Sequence, residues 1–167
     1  MKVLFVLYFI LTQSAFSLFM IEGPSMEPTL QDGEIIMIDK NAAENGDLER
    51  GDMVVFSLNE KPDFYYVKRI VGLPGEKLHI KNGHIYIESG DGLEVLLGES
   101  YLGGKVATAV TTESYRNDYE HTYVIPWAKY FVLGDNRGHS VDSRYFRDPF
   151  ITKSNIKGEY LFNVTDL

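Results

Sequence analysis

The chain has 167 residues, 44% of them hydrophobic and 24% charged, which suits one folded domain or one core with a long excursion. It contains no cysteine, which excludes disulfides, thiolate metal sites and a Cys nucleophile. A formal net charge of -8 argues against nucleic acid as a partner, because that would favour a basic face.

No side chain between residues 3 and 21 is charged, and Val3-Leu4-Phe5-Val6-Leu7-Tyr8-Phe9-Ile10-Leu11 is almost wholly apolar. As a helix rising about 1.5 Å per residue, this run covers roughly 28 Å, close to the hydrocarbon thickness of a bilayer. The same residues also fit a cleavable secretory signal, with Lys2 as its basic start, residues 3–11 as its apolar stretch and Thr12-Gln13-Ser14-Ala15 after it. Composition leaves both readings open. Both place the rest of the chain outside the cytoplasm, and Lys2 has the sign that this orientation expects.

Beyond residue 21 the pattern becomes short β-like runs separated by Gly, Asp and Asn. Residues 34–39 follow Asp32-Gly33, residues 53–58 follow Gly51-Asp52, and residues 64–71 end at Gly72-Leu73-Pro74-Gly75. Residues 78–81 and 84–87 flank Asn82-Gly83, a strong hairpin signal. Residues 123–125 and 130–133 are two further strand candidates. No segment after residue 21 keeps a helical period over ten residues. The expectation is a mainly β, antiparallel domain over 22–167, preceded by one N-terminal transmembrane helix over 1–21. Residues 88–122 read as a β/loop excursion.

Three stretches carry chemistry. In Gly23-Pro24-Ser25-Met26-Glu27-Pro28-Thr29-Leu30, two prolines stiffen the loop that holds Ser25, and Gly23 lets another chain approach the backbone. Such a serine is a candidate nucleophile, although most serines in Pro/Gly loops are turn residues. In Tyr65-Tyr66-Val67-Lys68-Arg69-Ile70-Val71, strand alternation puts Tyr66, Lys68 and Ile70 on one face. Lysines in that setting commonly snorkel to water. A catalytic base instead needs its pKa lowered from about 10.4 to roughly 7–8, by burial without a counter-ion. Gly134-Asp135-Asn136-Arg137-Gly138-His139-Ser140-Val141-Asp142-Ser143-Arg144 is dense in turn-capping residues and in possible Asp–Arg pairs.

In this order the stretches resemble type I signal peptidases. That family has a Ser-Met-x-Pro-Thr-Leu box after a membrane span, then Arg-Gly-Asp-x-Val-Val-Phe. A Tyr-x-x-Lys-Arg-x-x-Gly-x-Pro-Gly box and a Gly-Asp-Asn-Arg-x-x-Ser-x-Asp-Ser-Arg box follow. Here they fall at residues 25–30, 50–56, 65–75 and 134–144. The resemblance implies a membrane-bound serine endopeptidase that removes signal peptides from exported pre-proteins through an acyl-enzyme. Ser25 would be the nucleophile and Lys68 the general base. Ser140 would hydrogen-bond and orient the lysine, and Asp142 and Arg144 would form a structural ion pair behind the site. Ile21, Met26, Leu30, Tyr66 and Val67 would line a pocket for small side chains. No metal or cofactor is implied. The partners would be signal peptides and the lipid bilayer, with the single-pass protein's catalytic domain on the extracytoplasmic side.

Two departures from the family pattern stand out. Gly23 stands where a Ser or Thr hydroxyl often joins the oxyanion hole, so a water or a more distant group is expected as second donor and a serine at 23 is expected to do no harm. Gly138-His139 replaces the more usual acidic or amide residues. Rival readings are a pilin- or conjugation-associated peptidase of the same fold, and an inactive membrane-tethered module that binds peptides. A Ser–His pair using His139 is a further possibility. The spacing of His79, His84 and His121 suggests no metal site. Ser154-Asn155-Ile156-Lys157 matches a Ser-x-x-Lys pattern but lacks that pattern's partner motifs.

Overall fold

The structure, a computed structural model, describes residues 15–45, 48–88, 90–103 and 120–166. Its strands are β1 (Phe16–Met20), β2 (Ile35–Asp39), β3 (Met53–Leu58), β4 (Lys61–Gly72), β5 (Lys77–Lys81) and β6 (His84–Glu88). They continue with β7 (Glu94–Leu96), β8 (Glu120–Val124), β9 (Lys129–Leu133), β10 (Ile151–Thr152) and β11 (Ile156–Asn163). A short helix, α1 (Lys40–Asn45), follows β2. A seven-stranded sheet runs β1-β2-β11-β3-β4-β9-β10 and a four-stranded sheet runs β7-β6-β5-β8, with every pairing antiparallel.

β3 is buried at all six positions because β11 and β4 flank it and both of its faces are covered. One face joins Val54 and Phe56 to Ile70, Val132, Ile151 and Ile156. The other joins Val55 to Ile21, Met26, Leu30, Ile36 and Ile38. A third cluster, with Val71, Phe131 and Leu133 against Leu78, Ile80, Ile85 and Tyr123, bonds the two sheets together. The β5–β6 turn has Asn82 at φ 50° and Gly83 at φ 80°, the left-handed pair that a two-residue hairpin requires.

The strands expected from residue 34 to residue 133 are present, except that the one expected at 123–125 runs from Glu120 to Val124 and so begins inside the stretch read as the excursion. The six-residue α1 agrees with the lack of a long helical period. The expected helix over 1–21 is corrected at its C-terminal end. Phe16–Met20 is a strand, paired with β2 from Phe16 opposite Asp39 to Met20 opposite Ile35. An apolar run does not by itself separate helix from strand. Here the β2 edge supplies backbone partners, and Phe16, Leu18 and Met20 alternate outward against Ser17 and Phe19. The expected anchor over residues 1–14 lies outside the described residues. Among the described residues, no helix is long and apolar enough to cross a membrane.

Candidate active site

Ser25 lies on the connection between β1 and β2. Ile21 donates its N–H to Glu34 O at 2.8 Å and Gly33 donates to Ile21 O at 2.9 Å, which closes the base of the loop. Met26 and Leu30, both essentially unexposed, anchor it from below in the core. Gly23 has φ +84° and gives its N–H to Asp32 Oδ1 at 2.7 Å. The expectation that a serine could stand at 23 without harm is thereby corrected. Space is open around its Cβ position, but the left-handed backbone there strains any L side chain. Gly23 N–H is already committed to Asp32, and Pro24 has no N–H to give.

Lys68 sits where β4 passes from exposed residues to fully buried ones. Its neighbours on the same face, Tyr66 and Ile70, belong to the apolar cluster around Phe56. Its Nζ donates to Ser25 Oγ at 2.7 Å and to Val67 O at 2.6 Å. With 2% of the residue exposed, burial lowers its pKa to about 8, against an opposing pull from Asp142 and Asp135. Among the described residues no carboxylate bonds Nζ directly, and the nearby Asp135 and Asp142 are paired with Arg69 and Arg144.

The 134–144 segment holds this pair from behind. Asn136 donates its backbone N–H to Ser25 O and its side-chain amide to Pro24 O, each at 3.1 Å. Asp135 accepts Thr29 Oγ1–H at 2.5 Å and takes two bonds from Arg69, at 2.9 and 2.5 Å. Asp142 and Arg144, both wholly buried, form a two-bond pair at 2.8 Å each. Asp142 also accepts Gly134 N–H at 3.1 Å. The expected ion pair is present.

Ser140 behaves differently from expectation. It is buried beside Gly134, but among the described residues its hydroxyl has no hydrogen-bond partner, so the expected bond to Lys68 is not formed. Nζ is turned instead toward Ser25 and Val67. Gly134 was not singled out by the sequence. A Cβ there would lie 2.6 Å from Ser140 Cβ and closer still to Ser140 Oγ and Ser25 O.

A groove of about 470 Å³ opens over Ser25 and Lys68. Ile21, Tyr66 and Val67 line it as expected, joined by Phe19, Ile36 and Val55. Met26 and Leu30 do not line it, which corrects their expected role. They pack beneath the groove in the core, because the turn from Pro24 to Leu30 directs them inward. His139 is on the groove rim, with Nδ1 3.3 Å from Asn136 Oδ1, and the group bonded to Ser25 Oγ is Lys68.

On the second sheet, His79, Glu88 and Glu94 converge with ligand atoms within 4.8 Å, a grouping that histidine spacing did not reveal. Lys77 pairs with Glu88 at 2.7 Å and Lys81 with Glu94 at 2.6 Å, so both carboxylates are already balanced by ammonium groups. The cluster is a cross-strand ion network of β5, β6 and β7.

The family model described as signal peptidase, peptidase S26, matches residues 1–165. The chain is 36% identical over 149 residues to signal peptidase I P of Bacillus subtilis subsp. natto, covering 88% of this chain and 76% of that protein. It is 37% identical over 147 residues to signal peptidase IB of Staphylococcus aureus, covering 86% and 76% respectively. The crystal structure of a signal peptidase I from Enterococcus faecalis superposes with a TM-score of 0.52 at 30% identity, covering 70% of this chain and 97% of that one. With the matched model spanning nearly its whole length, this chain belongs to the signal peptidase family, peptidase S26, and is a peptide-bond hydrolase.

Proposed function

We propose that the protein removes N-terminal signal peptides from exported pre-proteins, with Ser25 as nucleophile and Lys68 as general base. The observation that carries this reading is the 2.7 Å contact between Ser25 Oγ and a buried Lys68 Nζ of lowered pKa. Neutral Lys68 takes the Ser25 proton as Oγ attacks the scissile carbonyl. The Ser25 N–H supports the oxyanion, and the lysine ammonium then protonates the leaving amine. Water releases the acyl group from Ser25, with Lys68 again accepting a proton. No step calls on a metal or cofactor.

The apolar groove walls, Ile21, Ile36, Val55 and Val67, suit small side chains next to the cut. Incubation with a generic pre-protein and mapping of the cut by mass spectrometry tests both activity and specificity. The expected cut follows a position where alanine exceeds phenylalanine in kcat/KM by about tenfold or more, the cost of overpacking a rigid pocket. Equal rates for the two residues would defeat the specificity.

We also propose that the residues preceding β1 hold the protein at the membrane, with the catalytic domain on the extracytoplasmic side. The uncharged run supports this, and β1 constrains it, since Phe16 onward is committed to the sheet. N-terminal sequencing of the membrane-extracted protein is expected to find the segment retained. A soluble mature chain starting between residues 15 and 23 would show a cleaved signal instead.

A further inference from the structure

We propose that Glu99 and Tyr101 are positioning residues for the Ser25 site, acting through Arg137 and Arg69 on the 134–136 segment that grips the serine loop. The inference rests on the Ser25/Lys68 reading above.

Asp135 and Asn136 touch the Ser25 loop directly, through the Asn136 bonds to Ser25 O and Pro24 O and the Thr29 bond to Asp135, and a Cβ at Gly134 would press on Ser25 O. Two arginines also hold this segment. Arg137 donates Nε–H to Gly134 O at 3.1 Å. Arg69 binds both oxygens of Asp135 and reaches Gly51 O at 2.7 Å.

Each arginine is covered by a residue of one short turn, whose 3-10 helix is Ser100–Leu102. Glu99 receives Arg137 Nη1–H at Oε2, 3.3 Å, and pairs with Arg137 Nη2 through Oε1. The Arg137 side chain is fully buried and that of Glu99 is 11% exposed. The Arg69 guanidinium lies 4.2 Å from the centre of the Tyr101 ring, and Tyr101 Oη–H donates to Glu99 Oε1 at 2.9 Å. Arg69 has Asp135 as its carboxylate and Arg144 has Asp142, whereas Arg137 takes its carboxylate from Glu99. The turn thus balances one buried charge and shields another, both one bond away from the segment that fixes Ser25. Desolvated pairs of this kind hold geometry firmly, because a lone buried charge is strongly disfavoured. Nucleophile placement is sensitive to shifts well under the size of a side chain.

The test measures kcat and KM on one fixed peptide, with active sites counted by a serine-reactive acylating probe so that unfolded molecules drop out. Glu99→Gln is expected to lower kcat per site about tenfold, equivalent to about 1.4 kcal/mol, with KM within about twofold of the parent. Arg137→Met should lose at least as much, and the double variant no more than Arg137→Met alone, because one residue acts through the other. Tyr101→Leu should lower kcat about threefold or more, while Tyr101→Phe, which keeps the ring over Arg69, should stay within about twofold. Should Glu99→Gln not fold, the contrast between the two Tyr101 variants decides. The inference is overturned if kcat per site is unchanged in Glu99→Gln, if the loss sits in KM, if the two losses multiply in the double variant, or if Tyr101→Phe is as damaged as Tyr101→Leu. A parent that the probe does not label at Ser25 would overturn the Ser25/Lys68 reading instead, so the two failures are distinguishable.

Discussion

Lys68→Met and Lys68→Arg are each expected to lower cleavage by about 10⁴-fold or more, as Ser25→Ala should, because members of a catalytic unit are not partly dispensable. Methionine has no proton acceptor, and a guanidinium stays protonated at any working pH. His139→Ala should change the rate little, since Ser25 Oγ is bonded to Lys68. A loss at His139 matching that at Lys68 would sink the assignment. The parent's pH profile supplies an independent check. Burial brings Lys68 from 10.5 to about 8, so the neutral base is scarce below that value. The profile of kcat/KM should therefore rise about tenfold per pH unit below 8 and level off above it. A flat profile between pH 6 and pH 8 would contradict a lysine base.

The same lowered pKa makes a statement about stability. Between about pH 8 and 10.5 the unfolded chain holds a proton on Lys68 that the folded chain has released, so stability from this group rises with pH across that window. Below it, both states are protonated and the folded state bears the cost of a buried ammonium, roughly 3 kcal/mol. Lys68→Met should therefore raise Tm at pH 7 while removing activity, as expected where a site is kept functional at a cost in stability. A Tm that falls by several degrees would mean that the two bonds made by Nζ outweigh its desolvation.

Gly134→Ala is expected to reduce kcat by about 100-fold, the scale on which a misplaced nucleophile is felt. The new Cβ would meet Ser140 Cβ at 2.6 Å and press on the Ser25 carbonyl, which is backbone and cannot rotate away. Either the serine loop or the 134–136 segment must shift, and both set the Ser25–Lys68 distance. A stability loss of about 1–3 kcal/mol should accompany the drop. Gly72→Ala serves as the comparison, since its Cβ would press hardest on Ile125 Cδ1, a side-chain end, and then meet Phe131 Cβ at 3.1 Å and Leu78 Cδ1 at 3.3 Å in the core between the sheets. It should lower Tm while leaving kcat per folded molecule within about twofold. A Gly134→Ala enzyme whose kcat stays within threefold of the parent would show that the close approach behind Ser25 is not needed.

Much of this protein is legible in its one-dimensional pattern because the determining interactions are local. Short runs bounded by Gly, Asp and Asn locate β2 to β6, β9 and part of β8, and Asn82-Gly83 marks its hairpin because such residues readily accept the two left-handed conformations. The stiff loop at Ser25 and the lysine on an apolar strand face are visible for the same reason, as short motifs whose chemistry depends on near neighbours, while the Asp142–Arg144 pair was implied by the family resemblance. What required the tertiary structure depends on partners far along the chain. Residues 16–20 form a strand because the β2 edge offers backbone partners. Likewise Ile156–Asn163, which had shown only a chance Ser-x-x-Lys match, becomes the strand inserted between β2 and β3. Met26 and Leu30 go to the core because their turn rests on Ile36, Ile38 and Val55. Gly23 is explained by a backbone dihedral, Gly134 by the proximity of Ser140 and Ser25, and Glu99 by an arginine 38 residues away. Short runs between turn residues pointed to the fold class, and the resemblance carried by the four boxes singled out Ser25 and Lys68 as the candidate pair. Close packing between distant segments decided the pKa of Lys68, the walls of the groove and the supports of Ser25, since desolvation and steric exclusion arise only when the whole chain is in place.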